Sequence, residues 1–381
     1  MISKKKTDFL IIGSGFYGSV LAERIATILK KNVLILEKRS HIGGNAYSEI
    51  DKKTGIEYHK YGTHIFHTSI KKVKDYLQRF TKFNNYRHQV LSKYKNKIYQ
   101  MPINLETINY YFKKNFTPED ARKYIKESTK KYINKNPKNF EEKALMQIGS
   151  KLYGAFVKNY TIKQWGKDPK LLPSSIFNRL PLRFNYNEDY YKNSICQGVP
   201  ENGYTSIFNK LIESNKIKIE FNSTFNLKKN YKVKYLTIYT GALDKLFDYK
   251  FGHLEWRSLN FVKKIYNIKD FQGTSVINFP ELKFKYTRKH EPRHLHPERN
   301  YINKKTLVIE EYPTINNLEP YYPVNDYKNK IIHKKYKNLL NKNKQLNIIS
   351  GGRLADYAYY DMDMAISAAL TKFDHIKKSI L

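Results

Sequence analysis

A chain of 381 residues and 45.3 kDa is too long for one ordinary hydrophobic core, so two or three domains are expected, interleaved where the motifs require it. At 40% hydrophobic and 15% aromatic residues it is not disordered, while apolar runs as short as Phe9 to Ile12 exclude a membrane span, a collagen and a coiled coil. With 70 Lys and Arg against 34 Asp and Glu, the net charge of +36 has two readings, a solvated lysine surface or a field that draws anions, and the scarcer arginines are the more informative cations.

Met1 to Lys6 lead into a strand without the apolar stretch of a secretory signal, and the single cysteine, Cys196, makes neither an internal disulfide nor a thiolate metal site. A cytoplasmic protein without metal is expected. Thr7 to Ile12 reads as a buried strand, Gly13-Ser14-Gly15-Phe16-Tyr17-Gly18 as a G-x-G-x-x-G turn, Ser19 to Lys30 as a helix and Asn32 to Glu37 as a second strand. That order is the one a dinucleotide fold requires. Gly13 makes the turn, Gly15 admits a pyrophosphate, Gly18 lets helix and strand pack, and the helix start offers amide donors. Glu37, 19 residues after Gly18, ends the second strand where a carboxylate can accept from an adenosine ribose. The Gly43-Gly44-Asn45 that follows is either a flexible loop or the E-x(5)-GG extension of an FAD cradle, and the spacing favours FAD over a nicotinamide cofactor.

Farther on, Tyr61 to Thr68 carries His64 and His67 on an apolar background, which alone suits half-buried core histidines. Leu105 to Trp165 has helical periodicity. Within it, Leu145, Ile148, Leu152, Phe156 and Tyr160 recur at three and four along Glu141 to Tyr160, with Gly166 and Pro169 ending the helix. Most of that stripe is core by spacing, although Tyr153, Phe156 and Tyr160 on a neighbouring face could stack on a base. Ile217 to Phe221, Phe261 to Ile268 and Leu307 to Tyr312 read as strands, Lys328 to Lys344 as an exposed helix, and Asp361-Met362-Asp363 as the start of a last helix, where the carboxylates either cap or serve a site.

Taken together, these segments resemble the UDP-galactopyranose mutase family. The G-x-HIFHT run at Gly62 to Thr68 is joined in family order by Ala155 to Gly166, Asn178 to Phe184, Tyr190-Tyr191, Gln197 to Tyr204, Thr240 to Asp244, Leu254 to Leu259, Tyr286 to Arg288, Tyr321 to Val324 and Gly351 to Asp363, so the likeness spans nearly the whole chain. It implies a mixed α/β fold: a discontinuous Rossmann-like FAD domain (1–85, 203–243, 340–381), an inserted helical domain (104–170) and an antiparallel-sheet substrate domain (86–103, 171–202, 244–339). It implies FAD held by Gly13, Gly15, Phe16, Gly18, Glu37, Gly43, Gly44, Asn45, His64, Gly241, Arg288, Gly352, Arg353 and Met362. Phe156 and Tyr160 would pack uridine, Trp165 would close over substrate, and Tyr190, Tyr322, Tyr359 and Asp361 would line its site. Arg179 and Arg257 would grip the diphosphate from opposite sides, each charge-assisted bond contributing roughly 1.5–3 kcal/mol; Arg183, close to Arg179, is ambiguous.

The implied activity is interconversion of UDP-galactopyranose and UDP-galactofuranose for surface glycans, with reduced flavin as the nucleophile on the anomeric carbon. Nothing else in the sequence supplies a nucleophile with its base, so the cofactor must carry the chemistry. Activity on UDP-N-acetylgalactosamine is a possible extension, and His67, near the sugar in the family, inclines toward galactose. A homodimer is expected, with no nucleic-acid or stable membrane partner. The competing readings are a flavin oxidase or dehydrogenase of the same fold, and a nucleic-acid binder that would explain the charge.

Overall fold

The structure, a computed structural model, describes residues 6–133, 136–179, 181–191, 193–229, 231–302, 304–315 and 319–380, with Asn178 and Arg179 described by their backbone only. Its first layer is a five-stranded parallel sheet in the order Ile348–Ser350, Val233–Tyr239, Thr7–Ile12, Val33–Leu36, Ile217–Glu220. The central strand is covered on both faces, with Phe9, Leu10 and Ile11 fully buried, which is why it reads as one unbroken apolar run. Helices Phe16–Ile28 and Met362–Ile380 pack together on one side through Val20, Leu21, Ile25, Ile366, Leu370 and Phe373. Three distant stretches of sequence thus build one sheet. Its neighbouring strands end at Ile12, Tyr239 and Ser350, so Gly13, Gly241 and Gly352 emerge side by side at the carboxyl edge, where such sheets bind ligands.

The second layer is a seven-stranded sheet ordered Tyr322–Pro323, Trp256–Tyr266, Thr306–Thr314, Arg288–His290, Val276–Asn278, Val90–Tyr94, Lys97–Met101. It is mixed rather than wholly antiparallel, because Val276–Asn278 runs parallel to Val90–Tyr94. The helices of the 105–165 stretch are Leu105–Phe112, Pro118–Thr129, Phe140–Leu152 and Lys158–Trp165. Thr117 and Asp120 form a capping box on the second of these.

The helix expected to run unbroken from Glu141 to Tyr160 is interrupted: Gly149 leaves helical geometry (φ 72°, ψ 167°), and Tyr153–Val157 form a π-helical turn before Lys158–Trp165 resumes. Such a wider turn changes the angular position of the residues after it relative to a regular α-helix. Near the far end of the element, the Lys163 ammonium lies within hydrogen-bond distance of four backbone carbonyls, those of Phe279 (2.5 Å), Glu281 (3.1 Å), Phe284 (3.0 Å) and Tyr286 (2.9 Å). This cage ties the helical module to the loop between two strands of the mixed sheet.

Candidate active site

A cavity of about 1380 Å³ begins at the carboxyl edge of the parallel sheet and continues inward over the mixed sheet. Its outer part is made of backbone. A Cβ at Gly18 would lie 2.1 Å from the Gly13 carbonyl oxygen, so any side chain there would force the first helix off the sheet. Gly44 has φ +56°, and a Cβ there would sit 3.1 Å from Gly15 Cα, while the Gly43 amide donates to Ser14 O at 3.0 Å. The Gly43-Gly44 pair is therefore folded onto the first glycine turn and extends its cradle, which favours the second of its two sequence readings.

Glu37 is 4% exposed. Its Oε2 accepts from Ser14 N (2.9 Å) and Ser14 Oγ (2.7 Å), and its Oε1 accepts from Arg39 N (2.9 Å). The carboxylate thus organises the turn as well as lining the cavity. A bare backbone trough with amides at a helix start and a strand-end carboxylate fits the diphosphate and ribose of a dinucleotide. Ser223 to Lys228, just past the Ile217–Glu220 strand, complete this outer wall and carried no sequence signal.

The inner lobe is aromatic and carries two arginines and two carboxylates. Arg288 and Arg353 line it with His64, Tyr190, Tyr322, Tyr359, Asp361 and Met362, all expected, together with Thr63, His67, His88, Tyr191, Asn278, His290 and Glu311. Of this second group, the resemblance gives a place near the sugar to His67 alone, while Thr63 and Tyr191 stand in its motifs without a role. Asn278 and Arg288 face each other across adjacent strands, and Asn278 Oδ1 is a buried acceptor with no partner among the described residues. Tyr322 stacks on Tyr359 (centroids 5.5 Å apart, 8°), and His67 stacks on Tyr191 (3.7 Å, 17°) with its Nε2 4.0 Å from Asp361.

Burial pushes His64 down to about 4, partly offset by its bond to Gly62 O, and pushes His88 down to about 3 with help from Arg288, so both rings are neutral near pH 7. Burial alone would raise the Glu311 carboxyl, but Arg288 and His290 together hold it at about 2. Arg288 Nε donates to Tyr160 Oη at 2.6 Å and lies 4.0 Å from Glu311.

Every expected cofactor residue, from Gly13, Gly15, Phe16, Gly18, Glu37, Gly43, Gly44 and Asn45 to Gly241, Gly352, Arg353 and Met362, borders this cavity. The helical-module residues do not. Phe156 is buried in the core of that module against Tyr94, Tyr99 and Tyr111, the packing its spacing favoured. Tyr160 stands behind Arg288, and Trp165 packs at the edge of the helical core.

Arg257 is 5% exposed and is turned to the end of the Lys158–Trp165 helix, its Nε donating to Gln164 O (2.9 Å) and its Nη2 to Lys163 O (3.4 Å). The reason is electrostatic: unsatisfied carbonyls at a helix C-terminus attract a cation. The Arg179 side chain lies outside the described residues, and Arg183 bonds Asn187 instead. Away from the cavity, Asp270, Glu291 and His294 bring ligand-type atoms within 4.8 Å of one another, but Glu291 already accepts from the amides of Phe271 and Gln272 and from Thr306, so these bonds serve the loop.

A glycine cradle on a parallel sheet, opening inward to arginines and tyrosines, defines a dinucleotide-binding protein of the flavoprotein class. The family model for UDP-galactopyranose mutase matches residues 155–359, and that of the NAD(P)-binding Rossmann-like domain matches residues 11–80. The chain belongs to the UDP-galactopyranose mutase family, whose members are isomerases, and its cofactor is of the flavin type. It is 36% identical over 375 residues to a probable UDP-galactopyranose mutase of Klebsiella pneumoniae, covering 98% of this chain and 95% of that one. It is 38% identical to a dTDP-fucopyranose mutase of Escherichia coli, covering 95% and 96%. Among solved structures, reduced UDP-galactopyranose mutase superposes with a TM-score of 0.76 at 16% identity, over 98% of this chain and 94% of that one. Among the described residues no helix is long and apolar enough to cross a membrane.

Proposed function

We propose that the chain interconverts UDP-galactopyranose and UDP-galactofuranose with FAD, in its reduced form, seated along the glycine cradle. One observation supports this above the others: a single cavity joins that cradle to an inner lobe carrying Arg288, Arg353, Tyr190, Tyr322 and Tyr359. Bound dihydroflavin supplies the nucleophile for the anomeric carbon. The chain's own residues bind and orient: Arg288 and Arg353 would set positive charge beside the flavin ring with His64 next to them, and the Tyr190, Tyr322 and Tyr359 hydroxyls would donate to the substrate diphosphate, where charge-assisted bonds are strong. On this reading Arg257 reaches the diphosphate by leaving the Lys163 and Gln164 carbonyls, and Arg179 meets it from the opposite side. Arg179→Ala and Arg257→Ala each cut turnover severely while the protein stays yellow; normal turnover in either rejects its role.

A second sugar is favoured by the dTDP-fucopyranose mutase relative, which is as similar to this chain as the galactose enzyme. Incubating the protein with FAD, dithionite and, in separate vessels, UDP-galactofuranose, UDP-N-acetylgalactosamine and dTDP-fucopyranose, then separating products by chromatography, ranks the three. Oxidation of the sugar, rather than ring exchange, would restore the oxidase reading. A site that hydrogen-bonds the galactose 6-hydroxyl rejects the 6-deoxy sugar by about 10⁴-fold, whereas an apolar contact there does not. We further read the chain as a cytoplasmic homodimer that supplies furanose for surface glycans, which light scattering and cell fractionation test.

A further inference from the structure

Thr63, His290 and Glu311 come from a loop and two strands far apart in sequence, yet they form one hydrogen-bonded line bordering the inner lobe. His290 Nε2 is 3.0 Å from Glu311 Oε2, and His290 Nδ1 is 2.9 Å from Thr63 Oγ1. His290 and Glu311 are each 2% exposed, so neither exchanges its partner for water.

The direction of the line follows from its buried end. Glu311 is ionised, with Arg288 nearby, so it can only accept. His290 Nε2 must then carry the proton, and in the neutral ring Nδ1 is a bare acceptor. With the ring neutral, Thr63 then spends its one hydroxyl proton on His290, and its remaining lone pairs are all it can offer the cavity; with a second proton on the ring, Nδ1 would donate to the Thr63 oxygen and leave the hydroxyl proton facing the cavity. Next to it, His64 Nδ1 donates to Gly62 O at 2.6 Å, which leaves His64 Nε2 bare as well. With His290 neutral, the loop from Gly62 to His64 presents acceptors to the cavity.

We propose that His290 is a positioning residue that works as the neutral ring: anchored on Glu311, it turns the Thr63 hydroxyl proton inward so that the oxygen accepts from an N–H donor of the cofactor ring. The inference rests on the reading that a flavin occupies this cavity. A dihydroflavin carries ring N–H groups that the oxidised ring lacks, so a wall of acceptors favours the reduced state over the oxidised one.

A purely structural ion pair would stabilise the sheet without touching that balance, and the midpoint potential of bound flavin separates the two. The holoprotein is compared with Thr63→Val, which keeps the shape and removes the hydroxyl, with Thr63→Ser, which restores it, with His290→Leu and with the double variant. Thr63→Val and His290→Leu each shift the ratio of reduced to oxidised flavin about tenfold toward oxidised, roughly 30 mV for a two-electron couple. The double variant shifts no further than either single one, and Thr63→Ser stays with the parent. An unchanged potential in Thr63→Val, a shift of it toward reduced flavin, or additive shifts in the double variant overturns the proposal even if His290→Leu loses thermal stability. A parent protein that takes up no FAD overturns the functional reading and this inference together, whereas a parent that binds FAD and exchanges ring size with an unmoved Thr63→Val potential overturns this inference alone.

Discussion

In the glycine cradle the ligand-facing positions are set by backbone geometry, whereas in the helical module they are set by which side of a packed element a ring ends on. Gly18 has no room for a single extra carbon, and Gly44 sits on Gly15 with a left-handed φ. Such constraints leave a mark on residue type at fixed spacing. Phe156 and Tyr160 obey a different rule, since core packing and base stacking both call for an aromatic ring at helical spacing. In the structure Phe156, within the π-helical turn over Tyr153–Val157, lies inside the module, and Tyr160, beyond that turn, lies behind Arg288. A motif whose cause is steric localises a site; one whose cause is hydrophobic localises only a helix.

The sharpest way to break the cradle side of that contrast is Gly18→Ala. Its Cβ would meet the Gly13 carbonyl, a backbone atom that cannot rotate away, so the variant is expected to purify colourless, with the flavin-to-protein absorbance ratio down at least about tenfold. A fully loaded yellow variant would refute the steric account. On the helical side, Phe156→Ala should lower stability by about 3–5 kcal/mol in a denaturant titration by opening a cavity in the module's core. Unaltered stability with a raised KM for the nucleotide sugar would instead put the ring against the ligand.

Acid probes the inner lobe between these two regions. His64 and His88 are held near 4 and 3, below the ordinary value of about 6.5, so the unfolded chain takes up protons that the folded one refuses. Their contribution to stability is complete above about pH 6.5 and shrinks as pH falls, by about 1.4 kcal/mol per unit for each ring. Glu311, held near 2, adds to the loss below about 4.5. Chemical denaturation from pH 7 to pH 4 should show a midpoint falling steadily from about 6.5; a flat profile would mean the rings reach water. The smallest effect is expected from Gly166→Ala. Gly166 has φ +61° and a Cβ would lie 2.7 Å from Arg257 Nη1, so about 1–2 kcal/mol of stability is lost and the arginine is displaced from the helix end. If Arg257 serves the diphosphate, the KM for the nucleotide sugar moves in this variant as well; if it only caps the helix, the denaturation midpoint alone moves.

The parallel sheet and its cradle were legible because each strand is a short apolar run and each turn residue has a local cause. The broken helix was not, since Gly149 and the π turn answer to contacts with neighbouring helices that no window of sequence contains. The inner lobe was half legible: Arg288, Arg353 and the tyrosines carried a resemblance, but Asn278, His290 and Glu311 sit on ordinary-looking strands and acquire meaning only when Val276–Asn278, Arg288–His290 and Thr306–Thr314 are aligned side by side. Arg257 shows the opposite case, a residue singled out for a phosphate that in this structure is held by helix carbonyls.

The Lys163 cage bears on how this molecule can move. An ammonium surrounded by carbonyls resembles a desolvated alkali ion permanently tethered to its host, and pulling it out strands four acceptors at once. The final helical segment and the Phe279–Tyr286 loop must consequently travel as a single rigid piece. Any opening and shutting of the helical module has to pivot upstream, at the left-handed Gly149 or in the π turn, or downstream past Gly166, and a guanidinium in place of the ammonium, too broad and flat for that ring, would unlock the joint.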